Sequence, residues 1–171
     1  MDFRITDEQQ LLLESLRELV ERGNYDQYFK DCDKAGEFPS KAADAAVEAG
    51  FASLGIPEEY GGTPVDLLTQ ILVTVEAYAL GWPSLCWVNH SLAVDDILAF
   101  GNADQQKAIC ELGIKGVKPF TLGFSEPQAG SDSSAITTTL TRRDGKMYIN
   151  GCQSFSLHAL HYPRLRKREA D

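Results

Sequence analysis

The spacing of hydrophobic positions near the start of the chain is that of an α-helix. Apolar residues recur every three or four positions from Leu12 to Val20. Thr6 and Gln9 precede this run with the spacing of a capping box, and Gly23 follows it. The pattern predicts a first helix that begins after Thr6 and ends at Gly23.

Two further helices are predicted between residues 39 and 81. Pro39 suits a first helical turn, Gly50 suits a stop, and the alanines between them share one face. Asp66 can cap a longer helix that ends near Gly81. Its apolar residues are Leu67, Leu68, Ile71, Leu72, Val75 and Tyr78. Because they surround the helix, we expect it to be buried on most sides, in the middle of a bundle.

The next segments complete a set of five predicted helices before any strand. One helix runs from about residue 84 to residue 100, and Asn102 with Gln105 forms a capping box for another that passes Leu112. Aromatic residues at helical spacing belong to the core far more often than to a cofactor site. We therefore interpret four of them as core residues: Tyr78, Trp82, Trp87 and Phe100.

From Phe120 the pattern changes to that of β-structure. The segment from Ile136 to Thr141 is rich in threonine, which favours strands. Asp144-Gly145 is a typical two-residue hairpin turn, after which Met147-Tyr148-Ile149 can pair back. The predicted fold class is therefore mainly α with a small β portion.

Charge and composition exclude several functions. The 171 residues include 25 acidic and 16 basic ones, a net charge of −9, which argues against a nucleic-acid or anionic-membrane surface. The cysteines and histidines show no metal-ligand spacing, so neither zinc nor a disulfide framework is expected. These residues are Cys32, Cys86, Cys110, Cys152, His90, His158 and His161. An acidic N-terminus and the lack of a long apolar run predict a protein without a membrane span that is either cytoplasmic or the mature form of an imported one.

Residues 123–132 hold the chain's most specific chemistry. Gly123 and Gly130 bracket a turn in which the backbone can approach a ligand, while Ser125 and Ser131 offer hydroxyl groups. Backbone amides and small hydroxyls suit the edge of a flat polar heterocycle. On composition alone, however, an ordinary corner between a strand and a loop is the simpler interpretation.

The order of residues favours the ligand interpretation. Residues 122–132 read Leu-Gly-Phe-Ser-Glu-Pro-Gln-Ala-Gly-Ser-Asp and resemble the acyl-CoA dehydrogenase signature, a hydrophobic pair, Thr or Ser, then Glu-Pro-x-Ala-Gly-Ser-Asp. Residues 50–62, which end in Ile-Pro-Glu-Glu-Tyr-Gly-Gly, and the opening Met-Asp-Phe with Thr-Asp-Glu-Gln are similar to the same family. Within the family, the bacterial crotonobetainyl-CoA dehydrogenase/reductase branch is the one that Met1-Asp2-Phe3, Tyr28-Phe29, Cys32-Asp33 and residues 141–143 most resemble.

The resemblance implies a domain organisation. Residues 1–118 correspond to the family's N-terminal helical domain, and residues 119–151 to the start of its middle β-domain. Complete family members are more than twice as long, so the resemblance implies a truncated chain without the second helical domain. Residues 152–171 depart from the family pattern and carry four basic residues in five positions from Arg164 to Arg168, a charge that a core strand cannot bury. We expect an aberrant, disordered or out-of-frame tail there; a basic tail for an acidic partner is the weaker alternative.

The resemblance also implies binding residues for FAD. The positions that match flavin contacts are Leu122, Gly123, Phe124, Ser125, Gly130, Ser131 and Phe155. Ser131 additionally matches a contact to the CoA substrate, and the region from Tyr78 to Trp87 lies near the acyl pocket by analogy. Glu126 is expected to make structural hydrogen bonds and Asp132 to cap the turn. No residue inherits a catalytic role, because the family's catalytic glutamate belongs to the last helical domain.

In the family, a glutamate removes the α-proton of an acyl-CoA while the β-hydrogen leaves as hydride to FAD. Electron-transfer flavoprotein accepts the electrons, and complete members are homo-oligomers. For this chain we expect weak or absent FAD binding and no independent activity. Acyl-CoA oxidases and nitroalkane oxidases share the signature and stay open as relatives. A catalytically inert or protein-binding helical fragment is the alternative from another functional class.

Overall fold

The structure is a computed structural model that describes residues 4–82, 88–116 and 123–154, with the backbone alone for residues 88–92. The chain divides into two compact units, Met1–Lys118 and Pro119–Asp171. The helices lie in the first unit and the strands in the second.

Six α-helices form the described part of the first unit. They are α1 (Asp7–Gly23), α2 (Tyr25–Ala35), α3 (Ser40–Glu48), α4 (Leu67–Ala79), α5 (Val88–Phe100) and α6 (Ala103–Ile114). The second unit contains an antiparallel hairpin of β1 (Thr139–Arg143) and β2 (Lys146–Asn150). The predicted fold class, mainly α with a small β portion, is confirmed. None of the described helices has the length and hydropathy needed to cross a membrane.

Local hydrogen bonds explain where the helices begin. In front of α1, the Gln9 amide donates to Thr6 Oγ1 at 3.2 Å and the Thr6 amide donates to Gln9 Oε1 at 3.0 Å. The carboxylate of Asp66 accepts from the Thr69 amide at 2.7 Å and caps α4. A second capping box, formed by Asn102, starts α6. These three predicted helix starts are confirmed.

The prediction of five helices is wrong, because α2 is a sixth. Asn24 adopts a left-handed conformation with φ of 48°, which ends α1 and lets α2 start at the next residue. The sequence indicates a break at Gly23, but the segment after it is mostly polar and was not predicted to be a helix. Tyr25, Phe29 and Cys32 bury one face of α2 at helical spacing.

The main core of the first unit lies around α1. It contains Leu13, Leu16, Val20, Tyr25, Phe29, Ala42, Ala43, Ala46, Phe51, Val73, Ala77 and Trp82. Trp82 is confirmed as a core residue, with its ring centroid 5.3 Å from that of Phe29. Tyr78 and Phe100 are exposed, Phe100 by 89%, so predicting them as core was wrong. Helical spacing shows that residues share a face without showing that the face is covered. Trp87 lies outside the described residues.

The prediction that α4 is buried on most sides is also wrong. Its buried residues are Thr69, Val73 and Ala77, which lie on one face, and α4 packs against α1. A second set of residues on α4, called here the α4 stripe, is between 41% and 70% exposed. The α4 stripe consists of Leu67, Leu68, Ile71, Val75 and Tyr78.

The hairpin of the second unit has the predicted turn and pairing. Asp144 and Gly145 both have positive φ, 50° and 75°, which fits the twist of a two-residue hairpin turn. Leu140 pairs with Ile149 across the two strands.

Candidate functional site

Glu126 is the centre of the segment at residues 123–138, called here the signature loop. Its side chain is buried, with 4% exposed, and accepts five hydrogen bonds. The Thr137 amide and hydroxyl donate at 2.8 and 2.7 Å, and the Thr138 amide at 2.8 Å. The Thr138 hydroxyl and Gln128 Nε2 complete the set.

These donors determine the protonation state of Glu126. The hydrogen bond from the Thr138 hydroxyl, followed by those from Thr137, lowers the pKa of the Glu126 carboxyl to about 2. A carboxylate with so low a pKa is a weak base, and its oxygens are already occupied by donors. Glu126 therefore has the structural hydrogen-bonding role predicted for it. Sequence reasoning missed Gln128, Thr137 and Thr138 as its partners; the only signal was the threonine run eleven residues further on.

A tight turn follows Glu126. The Glu126 amide donates to the Ala129 carbonyl at 2.9 Å, and the Ala129 amide donates back to the Glu126 carbonyl at 3.1 Å. Pro127 and Gln128 form the tip of this turn. Because the bridge joins Glu126 to Ala129, it places residues 123–125 and 130–131 at the two ends of one turn.

Asp132 closes the signature loop on its other side. Its carboxylate accepts from the Ser134 amide at 3.0 Å and from the Ser134 hydroxyl at 2.6 Å. These bonds cap a short 3₁₀ turn at Ser133–Ala135 and lower the pKa of the Asp132 carboxyl. Asp132 was predicted to cap the turn that Gly123 and Gly130 bracket; it caps the next turn along the chain instead, because Ser134 supplies the nearest donors.

Five of the predicted flavin contacts fall in the signature loop. Gly123, Phe124, Gly130 and Ser131 are exposed and Ser125 is half-buried. Within the described residues, neither serine hydroxyl has a hydrogen-bond partner. The Ser125 carbonyl accepts from the Ser154 amide at 2.8 Å, which ties this end of the loop to the segment after β2. Leu122 and Phe155, the other two predicted contacts, lie outside the described residues.

Gly130 has no conformational or packing reason to be glycine within the described part of the chain. Its φ is not in the left-handed region, and a Cβ built on it would meet no atom within 4 Å. Gly151 is the opposite case, because a Cβ there would lie 1.9 Å from Thr138 Oγ1. The open space at Gly130 is therefore available to a group from outside the described chain.

The second motif, residues 50–62, has a structural explanation. Gly61 has φ of 82°, and a Cβ on Gly62 would lie 2.3 Å from the Ile56 carbonyl oxygen. The Tyr60 hydroxyl donates to Gln106 Oε1 on α6 at 3.1 Å. Ile56 packs in a small buried cluster with Cys110. Through this hydrogen bond and this packing, the motif connects the turn before α4 to α6.

Other reactive side chains of the described residues form no second site. Cys32 and Cys110 are buried free thiols and Cys152 is an exposed one. Within residues 4–82, 88–116 and 123–154, no group of three or more His, Cys, Asp or Glu residues could hold a metal ion. Cys86, His158, His161 and the side chain of His90 lie outside the described residues.

The six helices of the first unit lie in the part of the chain that matches a known protein family. Residues 6–116 match the family described as acyl-CoA dehydrogenase, N-terminal domain. The chain therefore belongs to the acyl-CoA dehydrogenase family.

Individual relatives agree with this assignment. The probable acyl-CoA dehydrogenase YdiO of Escherichia coli (strain K12) is 39% identical over 164 residues, which are 95% of this chain and 43% of YdiO. Butyryl-CoA dehydrogenase from Megasphaera elsdenii matches with a TM-score of 0.79 and 26% identity, over 92% of this chain and 43% of that one. A chain from a structure of the electron transferring flavoprotein of Acidaminococcus fermentans matches with a TM-score of 0.77 and 28% identity, over 92% and 42%.

The chain spans less than half the length of these relatives. Residues 6–116, which contain the six helices, match the family's N-terminal domain.

Proposed function

We propose that this chain supplies the N-terminal helical domain, residues 1–118, and the flavin-facing start of the β-domain, residues 119–151, of an FAD-dependent acyl-CoA dehydrogenase. The reaction is the α,β-dehydrogenation of an acyl-CoA thioester, in which bound FAD supplies the hydride acceptor. The single observation that carries the proposal is the match of residues 6–116 to the acyl-CoA dehydrogenase N-terminal domain family; the exposed Gly130 leaves room beside the signature loop.

The residues of the signature loop fit a flavin edge chemically. Gly123, Phe124 and Ser125 lie at one end of the turn, and Gly130 and Ser131 lie at the other. The serine hydroxyls have no partner among the described residues and can bond to a heterocycle or a CoA arm. Ser131 is the proposed contact to both ligands. Leu122 and Phe155 complete the proposed set.

The chain contributes binding and orientation but no base. Glu126 is held as a structural carboxylate with a pKa of about 2, and we propose that the catalytic glutamate lies in the part of the relatives that this chain does not span. The remaining contacts to FAD would be absent as well. Each hydrogen bond that is missing costs about 1 kcal/mol, so losing several lowers FAD affinity by orders of magnitude.

The acyl-CoA substrate and an electron-transferring flavoprotein are the proposed partners of the complete enzyme, and a homo-oligomer is its proposed assembly. The names of two matched proteins support this choice, because they include butyryl-CoA dehydrogenase and electron transferring flavoprotein. The buried free thiols of Cys32 and Cys110 support a reducing, cytoplasmic setting. Assignment to the crotonobetainyl-CoA branch stays a prediction.

Flavin fluorescence during an equilibrium titration with the purified chain tests the proposal. We expect weak quenching at high protein concentration, with a further loss of affinity of at least tenfold in Gly130→Val. Because a Cβ at Gly130 would meet no atom within 4 Å, the variant should unfold at the same temperature as the unaltered chain. Thr139→Val, an exposed change in the same unit, is the control and should leave quenching unchanged. Equal quenching by all three proteins would contradict the proposal.

The exposed α4 stripe favours one second candidate, a helical fragment whose function is to bind another protein without catalysis. The titration separates these two candidate functions. If the chain quenches flavin fluorescence and Gly130→Val abolishes that quenching, the dehydrogenase proposal is favoured, since a purely protein-binding fragment gives no flavin-dependent signal.

A further inference from the structure

Gln153, which follows β2, lies against the first end of the signature loop. A Cβ on Gly123 would come within 3.2 Å of Gln153 Cγ, so the Gln153 side chain fills the space beside that glycine. The neighbouring Ser154 amide donates to the Ser125 carbonyl at 2.8 Å. Gly123 and Ser125 are two of the residues that the proposed function assigns to the flavin. Their position in the structure therefore depends on the segment after β2.

Thr138 holds the amide group of Gln153. Gln153 Nε2 donates to Thr138 Oγ1 at 2.9 Å, and the Thr138 hydroxyl donates in turn to Glu126 Oε1. A Cβ on Gly151 would lie 1.9 Å from Thr138 Oγ1, so glycine at that position leaves room for the threonine side chain. The hydrogen bonds thus form a chain from Gln153 through Thr138 to the buried carboxylate of Glu126.

Glu126 determines the direction of this chain of hydrogen bonds. Its carboxyl group has a pKa of about 2 and is ionised at neutral pH, so it can only accept. The single proton of the Thr138 hydroxyl therefore points to Glu126, and the Thr138 oxygen has only lone pairs left for residue 153. Position 153 consequently requires a donor. The amide of glutamine meets this requirement and an ammonium group would also meet it, whereas a carboxylate or an apolar side chain would not.

The Gln153 side chain affects the position of the signature loop more than the stability of the fold. It is exposed, and water can replace an exposed hydrogen bond at little cost in the free energy of unfolding. The same side chain, however, contacts Gly123 and Thr138, which are the first and the last residue of the signature loop. Gln153 therefore links the two ends of this loop.

We propose that Gln153 is a positioning residue of the proposed flavin site: as a hydrogen-bond donor to Thr138, it holds Gly123 and Ser125 in the arrangement that receives the flavin edge. Gln153 acts through the signature loop and is not itself a contact to the ligand. The inference rests on the proposed function for the identity of that ligand. Whether Gln153 holds the loop can be measured without flavin, so the two proposals can fail separately.

Amide hydrogen exchange of the whole 171-residue chain, followed by nuclear magnetic resonance, provides the test. The readout is the protection of the Ser154 amide, which donates to the Ser125 carbonyl. Gln153→Met keeps the length of the side chain but removes the donor, so we expect the protection factor to fall about fivefold, as the loss of one hydrogen bond implies. Gln153→Lys restores a donor and should keep the protection factor within about twofold of the unaltered chain.

Cys152→Met is the matched control. It introduces the same side chain one residue earlier, at an exposed position, and should leave the protection of the Ser154 amide unchanged. Protected amides in β1 and β2 check that the hairpin stays folded in each variant. Three results would overturn the inference: an unprotected Ser154 amide in the unaltered chain, unchanged protection in Gln153→Met, or an equal loss in Gln153→Lys or in the control.

The flavin titration separates this inference from the proposed function. If the unaltered chain quenches flavin fluorescence, Gln153→Met should weaken the affinity about fivefold and Gln153→Lys should restore it. An affinity that Gln153→Met leaves unchanged, although it lowers the protection of the Ser154 amide, would overturn the positioning role. If the unaltered chain gives no quenching, the proposed function is contradicted, and the exchange measurements alone decide whether Gln153 holds the loop.

Discussion

A carboxylate with five donors around it holds the signature loop together. Glu126 joins the turn at residues 127–128 to Thr137 and Thr138, which lead into β1. Because the donors stabilise the ionised form, they lower the pKa of Glu126 from its ordinary value of 4.5 to about 2. The network is complete above pH 4.5 and is lost as the pH falls through 2.

This network predicts a titration that nuclear magnetic resonance can measure. The amide proton shifts of Thr137 and Thr138 should stay constant from pH 7 to pH 4 and change with a midpoint of about 2. Glu126→Gln should abolish that transition, because the amide has no ionisable oxygen. A midpoint at the ordinary glutamate value in the unaltered chain would contradict the network.

At the scale of residues, the sequence could predict roles that depend on near neighbours. Asp132 caps a turn two residues away, which a short motif reveals. The partners of Glu126 lie eleven and twelve residues further on and become neighbours only through the turn at Ala129. The prediction of Tyr78 and Phe100 as core residues was wrong, because the burial of a side chain depends on neighbouring elements that no local pattern identifies.

Helices with clear end signals were the elements that sequence reasoning placed well. Thr6, Asp66 and Asn102 each start a helix with a side-chain cap, and the hairpin turn at residues 144–145 is equally local. The helix α2 was missed because Asn24 separates it from α1 without a loop, so the break looked like the start of a longer connection. Tyr25, Phe29 and Cys32 lie at helical spacing, but the rest of the segment is mostly polar, and the packing of Tyr25 and Phe29 in the main core is what makes the helix plain.

The two faces of α4 predict opposite responses to the same substitution. Val73 is 4% exposed and packs in the main core, whereas Val75 is 60% exposed. Val73→Ala should lower the free energy of unfolding by about 2 kcal/mol, because it removes buried methyl groups and leaves a cavity. Val75→Ala should change it by less than about 0.5 kcal/mol. Denaturant unfolding followed by circular dichroism measures both, and equal losses would contradict the exposure of the α4 stripe.

On the scale of the whole molecule, the chain has a helical unit with its own core and a small β unit. The family could be identified from the sequence because its motifs are local: the turn before α4 and the signature loop. The uncovered apolar faces could not be foreseen, since the sequence of α4 is typical of a fully buried helix.

The most direct test of this account is the visible absorption spectrum, after incubation with FAD and desalting, of the pair formed when this chain is co-expressed with the portion of YdiO outside the matched 43%. The chain alone should be colourless, because the flavin contacts proposed for its signature loop are only some of those that hold FAD. The pair formed with the remaining portion of YdiO should retain flavin bands, and Gly130→Val in this chain should remove them. An intact pair that stays colourless, or bands that Gly130→Val does not affect, would contradict the claim that this chain carries a flavin-facing half of an acyl-CoA dehydrogenase.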